Sequence, residues 1–177
     1  MSTIQENLTQ YAAYHRDRRN IATHFVGVPM IVFSILLALN EVHFSLGSMM
    51  PTLAVVVSVA AILYYVSLDV VLGLSMAAIL LLMCAGASEI TARTSTPVAL
   101  GLALAIFVVG WTLQFWGHKF EGMKPAFYDD VRQLLIGPLF VLAEAFFLFG
   151  GKPELRRYIE ARVGPTVARR EHPASTA

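Results

Sequence analysis

The sequence predicts an all-α, polytopic membrane helical bundle with four to five transmembrane segments, the last a candidate re-entrant segment, and amphipathic N- and C-terminal helices. Composition is the first indication: 56 % of the 177 residues are hydrophobic and 14 % are charged, whereas a soluble domain carries about 25 % charge. Long, nearly uncharged runs are the second, and polar residues gathered at their ends are the third. We expect one membrane-embedded domain over residues 1–150 and a basic amphipathic or disordered tail over 151–177.

Several classes of protein are disfavoured by composition. The formal net charge is +1 and no basic stripe with interleaved aromatics appears, so we expect no nucleic-acid partner. The single cysteine, Cys84, excludes an internal disulfide and a CxxC metal site, and its apolar surroundings predict a packing role. The sequence also has no phosphate loop and no dinucleotide-binding glycine pattern.

An amphipathic helix is predicted over residues 3–19. Thr3 and Glu6 have the spacing of a capping box. Four residues recur on one face at helical spacing: Ile4, Leu8, Tyr11 and His15. His15 therefore lies on the apolar face, either as part of a site or as a histidine at headgroup level in an interfacial anchor helix.

The first membrane segment carries the second histidine. Asn20 and His24 are four residues apart and share a helical face. The apolar run from His24 to residue 40 is just long enough to span roughly 30 Å of hydrocarbon. His15 and His24 are nine residues apart, about 180° around a straight helix. They can share a ligand only if the chain bends between them, which we expect near Arg19 and Asn20.

Residues 51–88 contain one charged residue, Asp69. A single helix of that length would reach about 57 Å, nearly twice the hydrocarbon thickness. We therefore expect the run to fold back at residues 67–69, which brings Asp69 to the membrane face that holds His15 and His24. Asp69 is either a helix cap at this turn or a carboxylate that orients a site histidine.

A polar loop is predicted at residues 89–97, and an apolar run over residues 98–115 follows it. A stripe of polar side chains lies at the end of this run. Gln114, His118 and Glu121 are four and three residues apart on one helical face, on the same side of the membrane as the N-terminal histidines. Such a stripe is costly in a membrane helix unless something binds it. Three imidazoles, or two with Glu121, suit iron(II), zinc or manganese; the alternative is that these residues only cap helices.

The last apolar run, residues 134–149, contains Gly137, Pro138 and Glu144. Basic residues in the N-terminal segment and in the loop after residue 120 place both in the cytoplasm by the positive-inside rule. Because the tail is basic as well, we expect a re-entrant pair broken at Gly137 and Pro138, which returns the tail to the cytoplasm. Glu144 requires a partner on this apolar helix, either an arginine or a site histidine.

A surface helix is predicted over residues 152–164, with Pro153 in its first turn and Gly164 as its stop signal. Its apolar stripe consists of Leu155, Tyr158 and Ile159. Residues 172–177 are expected to be disordered, and the loop residue His43 is expected to be solvated.

These residues together resemble a known family, the 2-hydroxypalmitate dioxygenase-like proteins of fatty-acid α-oxidation. The resemblance covers residues from about 5 to 150, and its most specific part is the combination of His-Asn-His with Gly-His-x-x-Glu. It is carried by Tyr14, His15, Asn20, His24, Gly27, Pro29, Leu68, Asp69, Gly73, residues 114–121, Pro125, Ala126, Pro138 and Glu144.

The resemblance implies an iron(II)-dependent membrane enzyme that converts a 2-hydroxy fatty acid and dioxygen into the acid shortened by one carbon. The family's characterised fungal member is an endoplasmic-reticulum protein that acts in phytosphingosine breakdown. The implied iron ligands are His15, His24 and His118, with Glu121 as a fourth ligand or a base. Three further residues are implied as orienting groups or substrate contacts: Asn20, Asp69 and Gln114.

Two other interpretations remain open from the sequence. A non-enzymatic lipid-binding scaffold or small carrier would hold no metal, and a carrier would need a polar path across the bilayer, whereas the polar candidates gather on one face. The other is the same metal site with zinc or with a different lipid substrate. The membrane is either a bacterial inner membrane or that of the endoplasmic reticulum, and a homo-oligomer is compatible with the sequence.

Overall fold

In the computed structural model, which describes residues 3–126 and 129–168, the chain is built from α-helices. The described residues form seven helices, accompanied by isolated β-bridges. In chain order they are α1 (Ile4–Ala12), α2 (Arg18–Leu39), α3 (Leu53–Leu68), α4 (Val70–Arg93), α5 (Thr96–Glu121), α6 (Gln133–Leu148) and α7 (Pro153–Val163). The all-α prediction is confirmed.

Three of these helices, α2, α4 and α5, are long and apolar enough to cross a membrane. The pair α6 and α7 passes the same test together, but its members meet at a bend of 111°, as in a broken span or a re-entrant segment. Helix α3 is apolar and has 16 residues, which gives it a length of about 24 Å. The predicted membrane bundle is confirmed, with three to four full-length spans and one shorter apolar helix.

The helices divide into two compact units. The central unit comprises Val28–Trp111, and the terminal unit comprises Met1–Gly27 together with Thr112–Ala177. Helices α2 and α5 each contribute one end to each unit. The three histidines singled out in the sequence all belong to the terminal unit.

The central unit is organised by the hairpin of α3 and α4. Asp69 ends α3 and caps α4, because its Oδ1 accepts the backbone N–H of Leu72 at 2.9 Å. Gly73 permits the close approach of the two helices, since a Cβ at this position would lie 2.5 Å from backbone atoms of Val66. The fold-back predicted at residues 67–69 is confirmed, and so is the helix-cap interpretation of Asp69.

The polar loop predicted at 89–97 is wrong in its extent. Helix α4 continues to Arg93, and α5 begins at Thr96. Arg93 pairs with Glu89, one turn earlier on the same helix. Opposite charges four residues apart stabilise a helical end, so the polarity of these residues does not mark the end of α4.

In the terminal unit, α1 is capped as predicted. The Thr3 hydroxyl accepts the backbone N–H of Glu6, and the Glu6 carboxylate accepts the backbone N–H of Thr3. Leu8 and Ala12 are fully buried on one side of this helix. The capping box and the amphipathic character of α1 are both confirmed.

The end of α1 and the bend after it differ from the prediction. Helix α1 ends at Ala12 instead of at residue 19, and the bend between the two N-terminal histidines lies at 13–17 rather than at Arg19 and Asn20. Asp17 explains this position, because its Oδ1 accepts the backbone N–H of Arg19 at 2.9 Å. A carboxylate in this place acts as an N-cap, so α2 starts one residue after Asp17.

Helix α6 runs unbroken through Gly137 and Pro138, so the break predicted at these residues is wrong. Gly137 serves close packing instead: a Cβ here would lie 2.9 Å from the Tyr11 hydroxyl. The bend falls after α6, where Gly150 and Lys152 adopt positive φ angles of 76° and 52°. The segment therefore turns back later than the sequence predicts.

The predicted surface helix is confirmed as α7. Pro153 is its first residue, and Gly164, with φ 81°, follows its last. Leu155 and Ile159 are buried, because α7 packs against α1. The apolar stripe is thus used for packing within the terminal unit.

The chain after α7 returns to the start of α2. The backbone N–H of Arg18 donates to the Val167 carbonyl at 2.9 Å, and the Val167 N–H donates to the Arg16 carbonyl at 2.8 Å. Residues after 150 thus contact the N-terminal region, and the domain boundary placed there stays a prediction. The disorder predicted at 172–177 lies outside the described residues.

Candidate metal centre

Three histidines from distant parts of the chain meet in one buried cluster. His15 lies in the connection between α1 and α2, His24 in the second turn of α2, and His118 in the last turn of α5. One ring nitrogen from each lies within 4.8 Å of the other two, and the side chains are 0 %, 1 % and 6 % exposed. The structure therefore brings together the imidazoles that the sequence singled out.

Hydrogen bonds fix the tautomers of two of the rings. The Nδ1 of His15 lies 2.8 Å from the Tyr11 carbonyl oxygen, and the Nδ1 of His24 lies 2.9 Å from the Asn20 carbonyl oxygen. A carbonyl oxygen only accepts, so each Nδ1 carries the hydrogen and donates it. Each Nε2 is then a bare lone pair, which is the arrangement that metal-binding histidines adopt.

These two lone pairs face each other. The Nε2 atoms of His15 and His24 are 3.0 Å apart, and neither carries a hydrogen to share. Burial, with the two neighbouring imidazoles as a further cause, holds the pKa of His15 well below its usual range, so protonation at neutral pH does not relieve the repulsion. Two nitrogens bound to one ion at right angles, each ~2.1 Å away, are separated by the same distance. The donor set fits a cation.

His118 completes the set. Its ring lies 4.8 Å from the ring of His15 and 5.2 Å from that of His24, centroid to centroid, at interplanar angles of 70° and 78°. Its ring also interacts with the backbone of Met123. The third imidazole therefore enters the cluster from a different helix than His24 and from outside the turn that carries His15.

Glu121 holds the parts of the cluster together. Its buried carboxylate accepts the backbone N–H of Arg16 at 3.0 Å and of Asp17 at 2.9 Å, and the side-chain N–H of Asn20 at 3.0 Å. These bonds tie the end of α5, which carries His118, to the turn that carries His15. The roles of metal ligand or base stay predictions for Glu121, while its contacts favour a positioning role.

Two predicted polar residues present unused atoms. Asn20 donates to Glu121, and its backbone carbonyl accepts from His24, but its buried Oδ1 makes no hydrogen bond among the described residues. The buried Nε2 of Gln114, one turn before His118, likewise has no partner there. Asp69 caps α4 in the central unit, and its role as an orienting group or substrate contact stays a prediction.

Two residues that the sequence analysis named, Tyr11 and Gly117, were given no role at the site. The Tyr11 ring stacks on the His15 ring at 4.1 Å and 4°, and a Cβ on Gly117 would lie 2.1 Å from Thr23 Oγ1 and 2.5 Å from Asn20 Oδ1. Tyr11 is four residues before His15 on the predicted apolar face, and an isolated glycine inside a helix indicates close approach. Both signals were therefore present in the sequence.

Arg16 was also missed, and it connects the His15 turn to α6 and α7. The guanidinium is buried and donates to the carbonyl oxygens of Ala12, His15 and Gly164. It also pairs with Glu144 at 3.4 Å. The arginine partner predicted for Glu144 is confirmed, although no sequence signal singles out Arg16 among the neighbouring arginines.

Comparisons with known proteins identify the family of this chain. The family model described as 2-hydroxy-palmitic acid dioxygenase Mpo1-like matches residues 1–148. A Saccharomyces cerevisiae protein, 2-hydroxy-palmitic acid dioxygenase MPO1, is 31 % identical over 159 residues, which cover 89 % of this chain and 87 % of the yeast protein. No solved structure shows a significant match. The resemblance found in the sequence is confirmed, and the chain belongs to the 2-hydroxy-palmitic acid dioxygenase Mpo1-like family.

Proposed function

We propose that this protein is an iron(II)-dependent dioxygenase that converts a 2-hydroxy fatty acid and dioxygen into the fatty acid one carbon shorter. The observation that carries the proposal is the pair of Nε2 lone pairs of His15 and His24, 3.0 Å apart in a family named for this reaction. If the lost carbon leaves as carbon dioxide and one water forms, the atoms balance. The 2-hydroxy acid itself supplies the electrons, so no second organic reductant is required.

His15, His24 and His118 would hold the iron. Three neutral imidazoles suit iron(II), as they also suit zinc, but of these two metals only iron can pass electrons to dioxygen. Bound there, iron(II) supplies a Lewis acid and an electron donor to dioxygen, with positions left open for substrate. We therefore expect Fe²⁺ to be the cofactor. Metal analysis of the purified protein distinguishes iron from zinc.

The chain's own residues orient this centre. The carbonyl groups of Tyr11 and Asn20 keep the Nδ1 hydrogens in place, so that Nε2 of His15 and of His24 stays free to bind. Glu121 fixes the turn that carries His15. Burial of all three rings excludes bulk water, which strengthens electrostatic interactions inside the site.

Substrate recognition would use the unpartnered amide atoms. Asn20 Oδ1 is an acceptor and Gln114 Nε2 is a donor, which together match a 2-hydroxyl group, since a hydroxyl both donates and accepts. The acyl chain would stay among apolar membrane helices, so the lipid need not leave the bilayer. The N-terminus and the centre would face the cytoplasm, in a bacterial inner membrane or the endoplasmic reticulum.

Metal analysis and oxygen uptake test the proposal. Protein purified without oxygen should contain near one iron per chain and consume oxygen with 2-hydroxypalmitate, producing the acid with one carbon fewer. The variant His118→Ala should lose both iron and turnover. The matched control, His43→Ala, removes an exposed histidine outside the cluster and should keep both. Full turnover in His118→Ala would overturn the proposal and favour a non-enzymatic lipid-binding protein.

A further inference from the structure

A cavity of about 490 Å³ lies in the terminal unit between α2, α6 and α7. Helix α2 lines it with one continuous face: Arg18, Ile21, Ala22 and Phe25. These residues follow the spacing of one helical face, so the lining passes from a cation to an aromatic ring over about 10 Å. The cavity wall is therefore charged at the start of α2 and apolar further along it.

The other two helices repeat this pattern. On α6, Glu144 is followed one turn later by Phe147 and Leu148, and all three line the cavity. On α7, Arg156 and Glu160 flank the buried Ile159. Mixed linings of this kind, mostly apolar with a few placed polar groups, are typical of small-molecule sites.

The charges around the cavity do not cancel. Glu144 pairs with the buried Arg16 at 3.4 Å, and Glu160 pairs with Arg156 at 2.8 Å. The exposed guanidinium of Arg18 makes no ion pair with any of the residues the structure describes, although its backbone is fixed by a hydrogen bond to Val167. One positive charge is left over, which fits a ligand with one negative charge.

The volume decides how many acyl chains can enter. If a methylene occupies about as much space as a water molecule, roughly 30 Å³, a chain of sixteen carbons needs about 480 Å³. The cavity, at about 490 Å³, therefore matches the volume of one such chain, whereas the two chains of a phospholipid need about twice that volume.

We propose that this cavity binds a single long-chain carboxylate, with its headgroup on Arg18 and its chain along Ile21, Phe25 and Phe147. The inference deepens the proposed function, since the 2-hydroxy acid and the shortened acid are both long-chain carboxylates. Arg18 is then a specificity-determining residue that selects acids over uncharged lipids of the same chain length.

Photo-crosslinking tests this binding without turnover. Metal-free protein in phosphatidylcholine nanodiscs is exposed to palmitate that carries a diazirine in its chain, and the labelled peptides are identified by mass spectrometry. Peptides of α2, α6 and α7 should be labelled, and unlabelled palmitate should compete, whereas hexadecanol should compete at least tenfold more weakly. Equal competition by hexadecanol, or equal competition by added phosphatidylglycerol, would overturn the proposal.

Two variants sharpen the test. Arg18→Gln should weaken palmitate competition about tenfold or more, as expected when a hydrogen bond to a charged group is lost. Arg157→Gln, an exposed position on α7 that does not line the cavity, is the control and should change nothing. Ala22→Trp should abolish specific labelling by filling the cavity while metal content is retained. Unchanged labelling in Arg18→Gln and Ala22→Trp would contradict the inference.

The outcome is distinguishable from that of the proposed function. Palmitate lacks the 2-hydroxyl group and the protein lacks metal, so labelling reports on the cavity alone. Loss of specific labelling in a protein that still binds iron and consumes oxygen would refute the cavity and leave the enzyme intact. Specific labelling that is retained in a protein that binds no iron would refute the proposed enzyme and leave the cavity intact.

Discussion

The Nε2 atoms of His15 and His24 lie 3.0 Å apart, although nine residues separate these histidines along the chain. Each ring donates its Nδ1 hydrogen to a carbonyl oxygen of the residue four positions earlier. Both free lone pairs therefore point at the same place. A cation there would replace repulsion by attraction, which couples metal binding to the stability of the fold.

Metal binding is accordingly expected to raise the unfolding temperature. At a free Fe²⁺ concentration of 100 times Kd, linkage adds about 2.7 kcal/mol to the free energy of unfolding. Anaerobic thermal unfolding in detergent, with and without Fe²⁺, measures the shift. His24→Ala should lose it and His43→Ala should keep it; shifts of equal size in the two variants would argue against the cluster as the binding site.

The buried carboxylate of Glu121 is expected to matter even without metal. In Glu121→Gln, an NH₂ group replaces one of the two carboxylate oxygens that accept hydrogen bonds from three N–H donors. The NH₂ group cannot accept these hydrogen bonds. Loss of such charge-assisted bonds costs about 1.5–3 kcal/mol. Unfolding of the metal-free protein measures this cost, and the exposed Glu89→Gln serves as control. If Glu121 acts only as a ligand, the metal-free variant would be as stable as the unmodified protein.

Gly117 should tolerate no side chain. In Gly117→Ala the new Cβ would lie 2.1 Å from Thr23 Oγ1 and 2.5 Å from Asn20 Oδ1, so these side chains or the two helices must move, at about 1–3 kcal/mol. Iron content and unfolding temperature should both fall. Gly101→Ala is a matched control on the same helix, because nothing lies within 4 Å of its added Cβ. Alanine favours the helix over glycine, so this control should be neutral or stabilising, and similar losses in both variants would argue against the close contact at Gly117 as the cause.

The ion pair of Arg16 and Glu144 is expected to show strong coupling. Arg16→Met leaves the part-buried Glu144 carboxylate without this partner and should destabilise the protein by about 1.5–3 kcal/mol. Adding Glu144→Gln removes that uncompensated charge and should recover part of the loss. Denaturant unfolding of the two single variants and the double variant gives the interaction energy, and strictly additive effects would show that the pair does not interact energetically.

Local patterns predicted which histidines meet in the cluster, because helical spacing and apolar run length are visible in the residues themselves. Asn20 and His24, or Gln114 and His118, are four residues apart, and the length of the run around Asp69 required a turn. The bend was misplaced because the N-cap role of Asp17 was overlooked. Likewise, the helix-breaking character of Gly137 and Pro138 was overridden by the packing of Tyr11 against Gly137.

Long-range hydrogen bonds had no such signal. Glu121 is 105 residues from Arg16. Its spacing of three residues from His118 suits a metal ligand as well as it suits a positioning residue. The pairing of residue 167 with residues 16 and 18 likewise depends on tertiary structure, because nothing in the sequence after α7 has a strand pattern. The residues of the histidine cluster were therefore predictable, whereas the contacts that orient them required the fold.

Helix α5 has 26 residues, about 39 Å, whereas roughly 20 residues suffice to cross the hydrocarbon layer. The excess at its C-terminal end is the turn that carries His118 and Glu121. If α5 crosses the bilayer, we expect hydrophobic mismatch to tie the depth of the cluster to bilayer thickness: a thicker membrane would draw this end of α5 toward the acyl region, and a thinner one would leave it among the headgroups. Lipid chain length would then control how easily an ion from water reaches the histidines.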